Sequence, residues 1–416
     1  MKTDRTWLFF RSILFGVLVK FSGAVFVFVG LPVIAAGLSV PQYAAFLIVM
    51  TISSSCGLPF GIISILSTRQ MACGLYSPGG QAATNTQTLC LHIGVSVIVL
   101  VVTLVCLAVL DFGDIGRLGF IAIAAAGAAQ GIFLWGDSHN VANRADYRSS
   151  SVQAIANLVL VGAILGLSSA NLLGYSILYL GVPLVSQAFI FLWSVNRTRF
   201  ESVTSSHVLA AIRQIPELWP MAVVSLANYC MIYGSGVLVA VLSDEAEYAK
   251  YTTIVLMCAR LINPVTLLTR PLLPAYVDAR CCGDEVWLKR ARQIGAATFL
   301  GGLLLGVLLL TSDLPLLGLN ALFPKLDIGR ASAAGAVAVL FGGVIAALLS
   351  PLFYATRHDK SFALLSASGV AIGLLVGSAM AWSIGSAGML IGLGGGMSIG
   401  AAVMFLSAYK RLLRLS

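Results

Sequence analysis

Twelve apolar segments, each long enough to cross a membrane as a helix, recur along this chain. A helix rises about 1.5 Å per residue, so roughly 20 apolar residues span the ~30 Å hydrocarbon core of a bilayer. The composition agrees, because 59% of the 416 residues are hydrophobic and only 10% are charged. The sequence therefore predicts an all-α polytopic membrane protein with 12 transmembrane helices, which cover residues 12–36, 42–67, 86–110, 117–140, 152–169, 172–195, 216–242, 247–277, 290–311, 330–355, 361–384 and 386–409.

The basic residues predict how these helices are oriented. Eighteen Lys and Arg residues fall in the loops or at the adjoining helix ends on one side of the predicted membrane, whereas only Arg117, Lys325 and Arg330 do so on the other side. Cytoplasmic loops carry the excess of positive charge in membrane proteins. The distribution predicts that both termini are cytoplasmic. It also accounts for the net charge of +9, so nucleic acid is not expected as a partner.

The sequence contains no residue pattern typical of a metal centre or an enzyme. The eight cysteines lack the spacing of a zinc site or a disulfide framework. The histidines are scattered at positions 92, 139, 207 and 358, and no Ser-His-Asp set or carboxylate pair can be assembled from spacing. We expect no cofactor, no metal and no enzymatic activity. A polysaccharide polymerase is a less favoured alternative, because the largest predicted outside loop, 311–329, is short and contains no histidine.

The chain divides into two halves with six predicted helices each. A polar, Arg-bearing cytoplasmic linker at 196–215 separates an N-terminal six-helix bundle, 1–195, from a C-terminal six-helix bundle, 216–416. A hairpin motif recurs in both halves, and we interpret it as part of a parallel internal repeat. Each copy reads Leu-Ser, a few turn residues and then aromatic-Ala-x-aromatic, with Leu38, Ser39, Tyr43, Ala44 and Phe46 in the first half and Leu242, Ser243, Tyr248, Ala249 and Tyr251 in the second.

Four cations lie inside the predicted helices: Lys20, Lys250, Arg260 and Arg270. A charge at membrane depth is costly and usually faces a wet, protein-lined interior. Lys20 lies nine residues after Arg11 and is therefore about 13 Å deep if Arg11 marks the interface. Arg260 lies in the middle of its helix among apolar residues, and its guanidinium cannot be deprotonated in a protein. Both are predicted to face a cavity that receives an anion.

The other two cations have alternative explanations. Lys250 follows Glu247 near the predicted outer interface, where it contacts the substrate, that acid or the lipid headgroups. Arg270 lies near the predicted inner interface and is either a substrate contact or a positive-inside anchor. Residues ten positions apart differ by about 80° around a straight helix, so these cations do not share one face. A kink at Pro264 would realign them, and it would free a backbone carbonyl near Asn263 to line the cavity.

Polar residues complete the predicted site. Asn228, Tyr229 and Tyr233 on the seventh predicted helix suit sugar hydroxyls, although hydrogen bonding between helices would explain them equally well. Asp137, late in the fourth predicted helix, is a candidate for coupling transport to H+ or Na+. An ion pair with Arg144, seven residues further on, is the structural alternative.

The twelve helices, the two six-helix halves and the hairpin motif resemble the multidrug/oligosaccharidyl-lipid/polysaccharide (MOP) flippase superfamily. Within it, the chain is most similar to Wzx-type polysaccharide repeat-unit flippases, which serve O-antigen and exopolysaccharide biosynthesis. The resemblance implies two bundles around a central cavity. It implies that they move an undecaprenyl-pyrophosphate-linked oligosaccharide across the bacterial inner (plasma) membrane by alternating access. It also implies a polysaccharide polymerase and a chain-length regulator as partners, besides membrane lipid.

The multidrug and toxin extrusion (MATE) branch of the superfamily also has twelve helices and is the main alternative. Its members typically rely on buried acids for cation exchange. Asp137 is the only acid near the interior of a predicted helix in this sequence. The buried cations favour the flippase instead, because fixed Lys and Arg groups would offset the cost of moving pyrophosphate through hydrocarbon, which is of order tens of kcal/mol for an isolated ion.

Overall fold

A computed structural model describes the protein at residues 14–15, 17–19, 21–74, 80–109, 116–143, 145–167, 171–205, 209, 219–269, 293, 300–355 and 359–414. All regular secondary structure in these ranges is helical. Hydrocarbon offers the backbone no hydrogen-bond partner, so a segment that crosses it must satisfy its own N–H and C=O groups, as a helix does. Each predicted transmembrane segment is helical throughout its described residues, apart from Leu167. This confirms the prediction of an all-α polytopic membrane protein.

Thirteen α-helices are numbered in chain order along the described residues. They are α1 (Leu31–Gly37), α2 (Val40–Gly74), α3 (Gly80–Val109), α4 (Gly116–Ala142), α5 (Asp146–Gly166), α6 (Leu172–Val195), α7 (Trp219–Tyr229), α8 (Ser235–Leu242), α9 (Glu245–Thr269), α10 (Leu300–Thr311), α11 (Leu314–Leu322), α12 (Arg330–Ala355) and α13 (Asp359–Arg414). A π-helical turn, Phe26–Gly30, precedes α1, and a second π-helical turn, Cys230–Gly234, joins α7 to α8. A 3-10 turn, Pro324–Leu326, follows α11.

Eight helical segments of the described chain are long and apolar enough to cross a bilayer. The pair formed by α10 and α11, bent by 68°, provides a ninth. One of the eight, Lys360–Ala408, is 49 residues long. At about 1.5 Å per residue this is more than twice the hydrocarbon thickness, so α13 contains two of the predicted transmembrane helices.

Helix α13 is a hairpin that turns at Ile384 and Gly385. Gly385 has φ 60° and ψ −143°, a backbone conformation that glycine adopts readily and other residues avoid. The two arms pack closely, since a Cβ added to Gly392 on the second arm would come within 2.3 Å of the Gly377 backbone on the first. Small residues allow helix backbones to approach in this way within a membrane.

The described helices form two compact units. One unit comprises Met1–Leu38 and Ala45–Ser225, and the other comprises Ser39–Ala44 and Leu226–Ser416. The short segment Ser39–Ala44 is tied to the second unit by a hydrogen bond of 2.9 Å between the buried hydroxyls of Tyr43 and Thr253. The predicted linker at 196–215 is described only at 196–205 and 209, so its role as a linker stays a prediction.

The hairpin repeat inferred from the sequence extends to backbone geometry. Each π-helical turn begins twelve residues before a Leu-Ser pair: Phe26 before Leu38, and Cys230 before Leu242. The aromatic residues and the alanine of the motif that follows are fully or almost fully buried in both copies, with none more than 3% exposed. A π-helical turn inserts one extra residue into a helix and is uncommon, so its recurrence at the same offset supports the interpretation of an internal repeat.

Candidate functional site

Arg260 is the mid-helix cation for which the structure provides most detail. Its side chain is half-buried on α9, directly after the fully buried run 251–258. No carboxylate and no other hydrogen-bond partner contacts the guanidinium among the side chains that the structure describes. The charge therefore lies in the middle of α9 without compensation from any described side chain.

The packing of α9 on α12 determines where Arg260 points. The Cys258 thiol donates to the Ala336 carbonyl of α12 at 3.6 Å. Ile262, one turn further, packs so closely on Gly343 of α12 that an added Cβ there would lie 2.2 Å from Ile262 Cδ1. Cys258 and Ile262 share a face of α9, and Arg260 is about 200° away from Cys258 around the helix. Arg260 thus projects from the face of α9 opposite α12.

Lys250 has a different environment at the start of the same helix. Its ammonium group pairs with Glu247 Oε1 at 2.8 Å, and the two side chains are only 21% and 27% exposed. This is one of the explanations that the sequence had left open for Lys250. Because Glu247 neutralises its charge, Lys250 would attract an anionic ligand less strongly than Arg260 would.

Glu247 also connects α9 to the α13 hairpin. Its second oxygen, Oε2, accepts hydrogen bonds from the Ser386 backbone N–H, at 2.8 Å, and from the Ser386 hydroxyl. The carboxylate therefore satisfies a free N–H at the start of the second arm of α13, as an N-cap does. The sequence pointed to Lys250 as a partner of Glu247, but Ser386 lies 139 residues away and carries no local signal.

The polar residues of the seventh predicted helix lie beside its π-helical turn. Tyr229 and Tyr233 are half-buried, with ring centroids 5.5 Å apart and planes inclined by 34°. Asn228 is exposed. Paired aromatic faces next to an exposed amide form a surface that suits sugar rings and hydroxyls, since such rings present both apolar faces and polar edges.

Three predicted site positions lie outside the described side chains. Lys20 and Arg270 are not among the described residues, and Asn263 is described only as part of the α9 backbone, which continues through Pro264 to Thr269. Near Lys20, however, the Asn157 amide of α5 donates to the Ser22 hydroxyl at 3.0 Å. This polar contact between helices was not predicted from the sequence.

Asp137, the candidate coupling acid, is half-buried on α4 and takes part in a polar or electrostatic interaction. Its proposed partner Arg144 lies outside the described residues, so the ion pair stays a prediction. Two residues further along α4, His139 shares a hydrogen bond of 3.0 Å with the Thr198 hydroxyl and stacks on Trp135 at 5.2 Å. Aromatic and polar groups thus surround this end of α4.

A second histidine, His92, joins three helices of the N-terminal unit. It is fully buried on α3, with Nδ1 at 2.9 Å from the Gly131 carbonyl of α4 and Nε2 at 3.2 Å from the Ser67 hydroxyl of α2. A carbonyl only accepts, so Nδ1 carries a proton and donates to Gly131. The imidazole thereby links α3 to both α2 and α4. Its place in an apolar run was the only sequence signal for it.

The sequence matches no protein-family model and no curated protein. The fold, in contrast, is shared with solved transporters. An inward-facing multidrug resistance MATE family transporter of the MOP superfamily is 15% identical with a TM-score of 0.58, and the match covers 96% of this chain and 98% of that chain. The lipid II flippase MurJ, in an inward closed conformation, is 11% identical with a TM-score of 0.66, and the match covers 99% and 90%.

A third solved structure with this fold is relevant to the charge of the binding pocket. It is a MOP superfamily transporter from Pyrococcus furiosus whose binding pocket has reversed polarity, which suggests a different function for that protein. It is 16% identical with a TM-score of 0.56, and the match covers 97% of this chain and 96% of that chain. Identities this low show the fold alone. The chain therefore has the fold of MATE transporters and of a lipid II flippase, which are transport proteins and not enzymes.

Proposed function

We propose that this protein is a flippase that moves an anionic lipid-linked oligosaccharide across the bacterial inner membrane by alternating access. The observation that carries the proposal is Arg260, a half-buried cation at mid-helix with no carboxylate partner among the described residues. An unpaired charge at this depth is costly to retain unless it serves a ligand. A pyrophosphate group is a suitable ligand, because guanidinium binds phosphate oxygens bidentately.

The rest of the substrate has separate requirements. Undecaprenyl-pyrophosphate carries a long apolar tail, which would stay in lipid, and a polar glycan, which needs a wet path lined by hydrogen-bonding groups. Asn228, Tyr229 and Tyr233 would contact the glycan, and Arg260 would bind the pyrophosphate. Lys20 stays a predicted contact of the anionic substrate. Arg270 and the backbone near Asn263 would line the inner end of this path. Lys250, already paired with Glu247, would act chiefly at the outer interface.

Transport of this kind breaks no covalent bond of the substrate and needs no cofactor. The substrate would come from enzymes that assemble repeat units on the cytoplasmic face, and the product would be consumed by a polysaccharide polymerase whose output a chain-length regulator controls. Both termini of the chain would lie in the cytoplasm. The fold shared with MurJ, which is described as a lipid II flippase, supports a lipid-linked substrate.

A cation-coupled multidrug exporter is the second candidate. The fold shared with MATE transporters favours it as much as it favours a flippase. In that case Asp137 would carry the coupling H+ or Na+, and its partly buried position on α4 is suited to an acid whose charge changes during transport. The two candidates differ in the sign of the cargo, which an experiment can decide.

The test is reconstitution of the purified protein in vesicles with a fluorescent undecaprenyl-pyrophosphate oligosaccharide. We expect the wild type to move the lipid between leaflets and Arg260→Gln to lose at least about tenfold in rate, since a hydrogen bond to a charged group contributes about 1.5–3 kcal/mol. Arg330→Gln is the matched control, because Arg330 is exposed and forms a surface ion pair with Asp313 at 2.9 Å. Equal rates for wild type and Arg260→Gln would overturn the role of Arg260.

The multidrug alternative requires a parallel measurement. Vesicles with an imposed H+ or Na+ gradient would be loaded with a cationic dye, and efflux by the wild type and by Asp137→Asn would be compared. Gradient-driven dye efflux that Asp137→Asn abolishes, with no movement of the pyrophosphate lipid, would replace the flippase proposal by the exporter.

A further inference from the structure

A cavity in the N-terminal unit lies apart from the residues assigned to transport. It has a volume of about 210 Å³ and is formed where the end of α4, the first turns of α5 and the last turns of α6 meet. Its lining includes Asn140, Tyr147, Arg148, Ser151, Phe189 and Trp193. The adjoining loops are among those that the positive-inside rule predicts to be cytoplasmic.

Arg148 supplies a positive charge to this cavity. Its Nε donates to the Tyr147 hydroxyl at 3.0 Å, and the guanidinium carbon lies 5.6 Å from the centre of the Tyr147 ring. No carboxylate whose side chain the structure describes pairs with Arg148. Guanidinium has five N–H donors, so four remain available to an acceptor in the cavity.

Asn140 supplies a polar side chain to the wall of this cavity. The residue is only 5% exposed, and its backbone carbonyl accepts from the Ala145 N–H at 2.7 Å. Its side-chain amide makes no hydrogen bond to any described residue, although it lines the cavity. The two N–H groups of the amide can therefore donate to an acceptor that enters the cavity.

The remaining walls are apolar and reach the outside of the unit. Phe189 is 49% exposed and Trp193 is 40% exposed, and both lie within the last two turns of α6. Arg197 follows this helix and stacks on Trp193 at 4.7 Å. Tryptophan next to a basic residue at a helix end is typical of the level of the lipid headgroups. The ligand therefore needs an anionic group and an apolar part.

We propose that this cavity binds the phosphate of an anionic membrane lipid from the cytoplasmic leaflet. Arg148 donates to the phosphate oxygens and Asn140 donates through its amide, while the upper part of the acyl chains lies on Phe189 and Trp193. Basic pockets between transmembrane helices on the cytoplasmic side recognise lipid headgroups by this chemistry. A free phosphate would make no contact with the apolar faces of Phe189 and Trp193. This favours a lipid as the source of the phosphate. The site does not depend on the proposed transport activity, because Arg260 belongs to the other unit.

The test uses the full-length protein in detergent, with lipid binding measured by native mass spectrometry. Phosphatidylglycerol is the anionic probe and phosphatidylcholine the zwitterionic control. We expect at least about tenfold weaker retention of phosphatidylglycerol in Arg148→Gln, which loses the charge. Asn140→Asp, a change of almost equal size that places a negative charge in the cavity, should weaken binding by a similar factor. Arg199→Gln is the matched control, since Arg199 is exposed and does not line the cavity.

Each outcome decides the proposal. Selective loss of phosphatidylglycerol in both cavity variants, with unchanged binding in Arg199→Gln and unchanged monodispersity, supports it. Equal binding in wild type, Arg148→Gln and Asn140→Asp overturns it. If glycerol phosphate binds as tightly as phosphatidylglycerol, the site recognises a soluble phosphate and the lipid assignment is wrong. Arg148→Lys guards against misfolding, because it retains the charge and should bind better than Arg148→Gln.

Discussion

At the scale of single residues, neighbouring charges on one helix have different roles because of their surroundings. Lys250 and Arg260 are ten positions apart on α9, yet Lys250 is paired with Glu247, whereas Arg260 has no carboxylate partner among the described residues. The sequence could predict the first pair, because an acid three residues before a lysine meets it on a helix. It could not predict the contact of Glu247 with Ser386, since distant residues meet only in the folded chain.

The contacts of His92 with Ser67 and Gly131 also join residues that are distant in the sequence, and they lead to a prediction about stability. Replacing this histidine with Leu keeps most of the volume but leaves the Ser67 hydroxyl without its hydrogen-bond partner on His92 and removes the donor to Gly131. We expect destabilisation of about 1–3 kcal/mol, the cost of a buried polar group without a partner. Thermal unfolding in detergent would measure it. Ile93→Leu is the control, because Ile93 is the next residue on α3 and is 43% exposed. Equal melting temperatures for His92→Leu and Ile93→Leu would contradict this role of His92.

At the scale of helices, hydropathy predicted where the helices lie better than where they end. Helix α5 was predicted to begin at 152 but begins at Asp146, because a helix continues into the polar interface after its apolar run has stopped. The cavity residues Tyr147 and Arg148 lie in this polar extension, so the hydropathy pattern gave no sign of them. The two π-helical turns were also not predicted, since they depend on one extra residue in the backbone and not on composition.

The turn of α13 provides a prediction at this scale. Gly385 has a positive φ of 60°, and an added Cβ would come within 2.7 Å of Glu247 Oε2, the oxygen that caps the second arm. Gly385→Ala should therefore destabilise the protein by about 1–3 kcal/mol through backbone strain alone. Gly395→Ala is the matched control in the same helix, because nothing lies within 4 Å of its added Cβ. There alanine should be neutral or stabilising by up to about 1 kcal/mol.

Thermal unfolding of the two alanine variants in detergent would compare these positions directly. A melting temperature lower for Gly385→Ala than for Gly395→Ala is the expected order. The reverse order would show that the turn tolerates a side chain and that the Glu247 cap can move without cost.

At the scale of the whole molecule, the sequence predicted the class of fold because a bilayer imposes simple rules. Apolar length determines that the chain crosses the membrane, and the backbone must then be helical. These rules hold regardless of partners, which explains why the fold is shared with MATE transporters at 15% identity. These rules do not constrain the few charged side chains that would contact the cargo. Because both candidate functions use the same fold, the charge of Arg260 is the feature that favours the flippase over the exporter.

The orientation of the chain is a prediction that belongs to the whole molecule. Single cysteines would be introduced at Ser202 and at Lys325, both exposed, in a variant whose eight native cysteines are replaced. The positive-inside rule places Ser202 in the cytoplasm and Lys325 outside. A membrane-impermeant maleimide should therefore label Lys325→Cys in cells with a permeabilised outer membrane, and should label Ser202→Cys only after the inner membrane is opened. Labelling in the opposite order would show that the chain crosses the membrane in the opposite orientation to the one predicted. The cavity that Arg148 lines would then face the outer leaflet. The proposed direction of transport, from the inner to the outer leaflet, would have to be reversed.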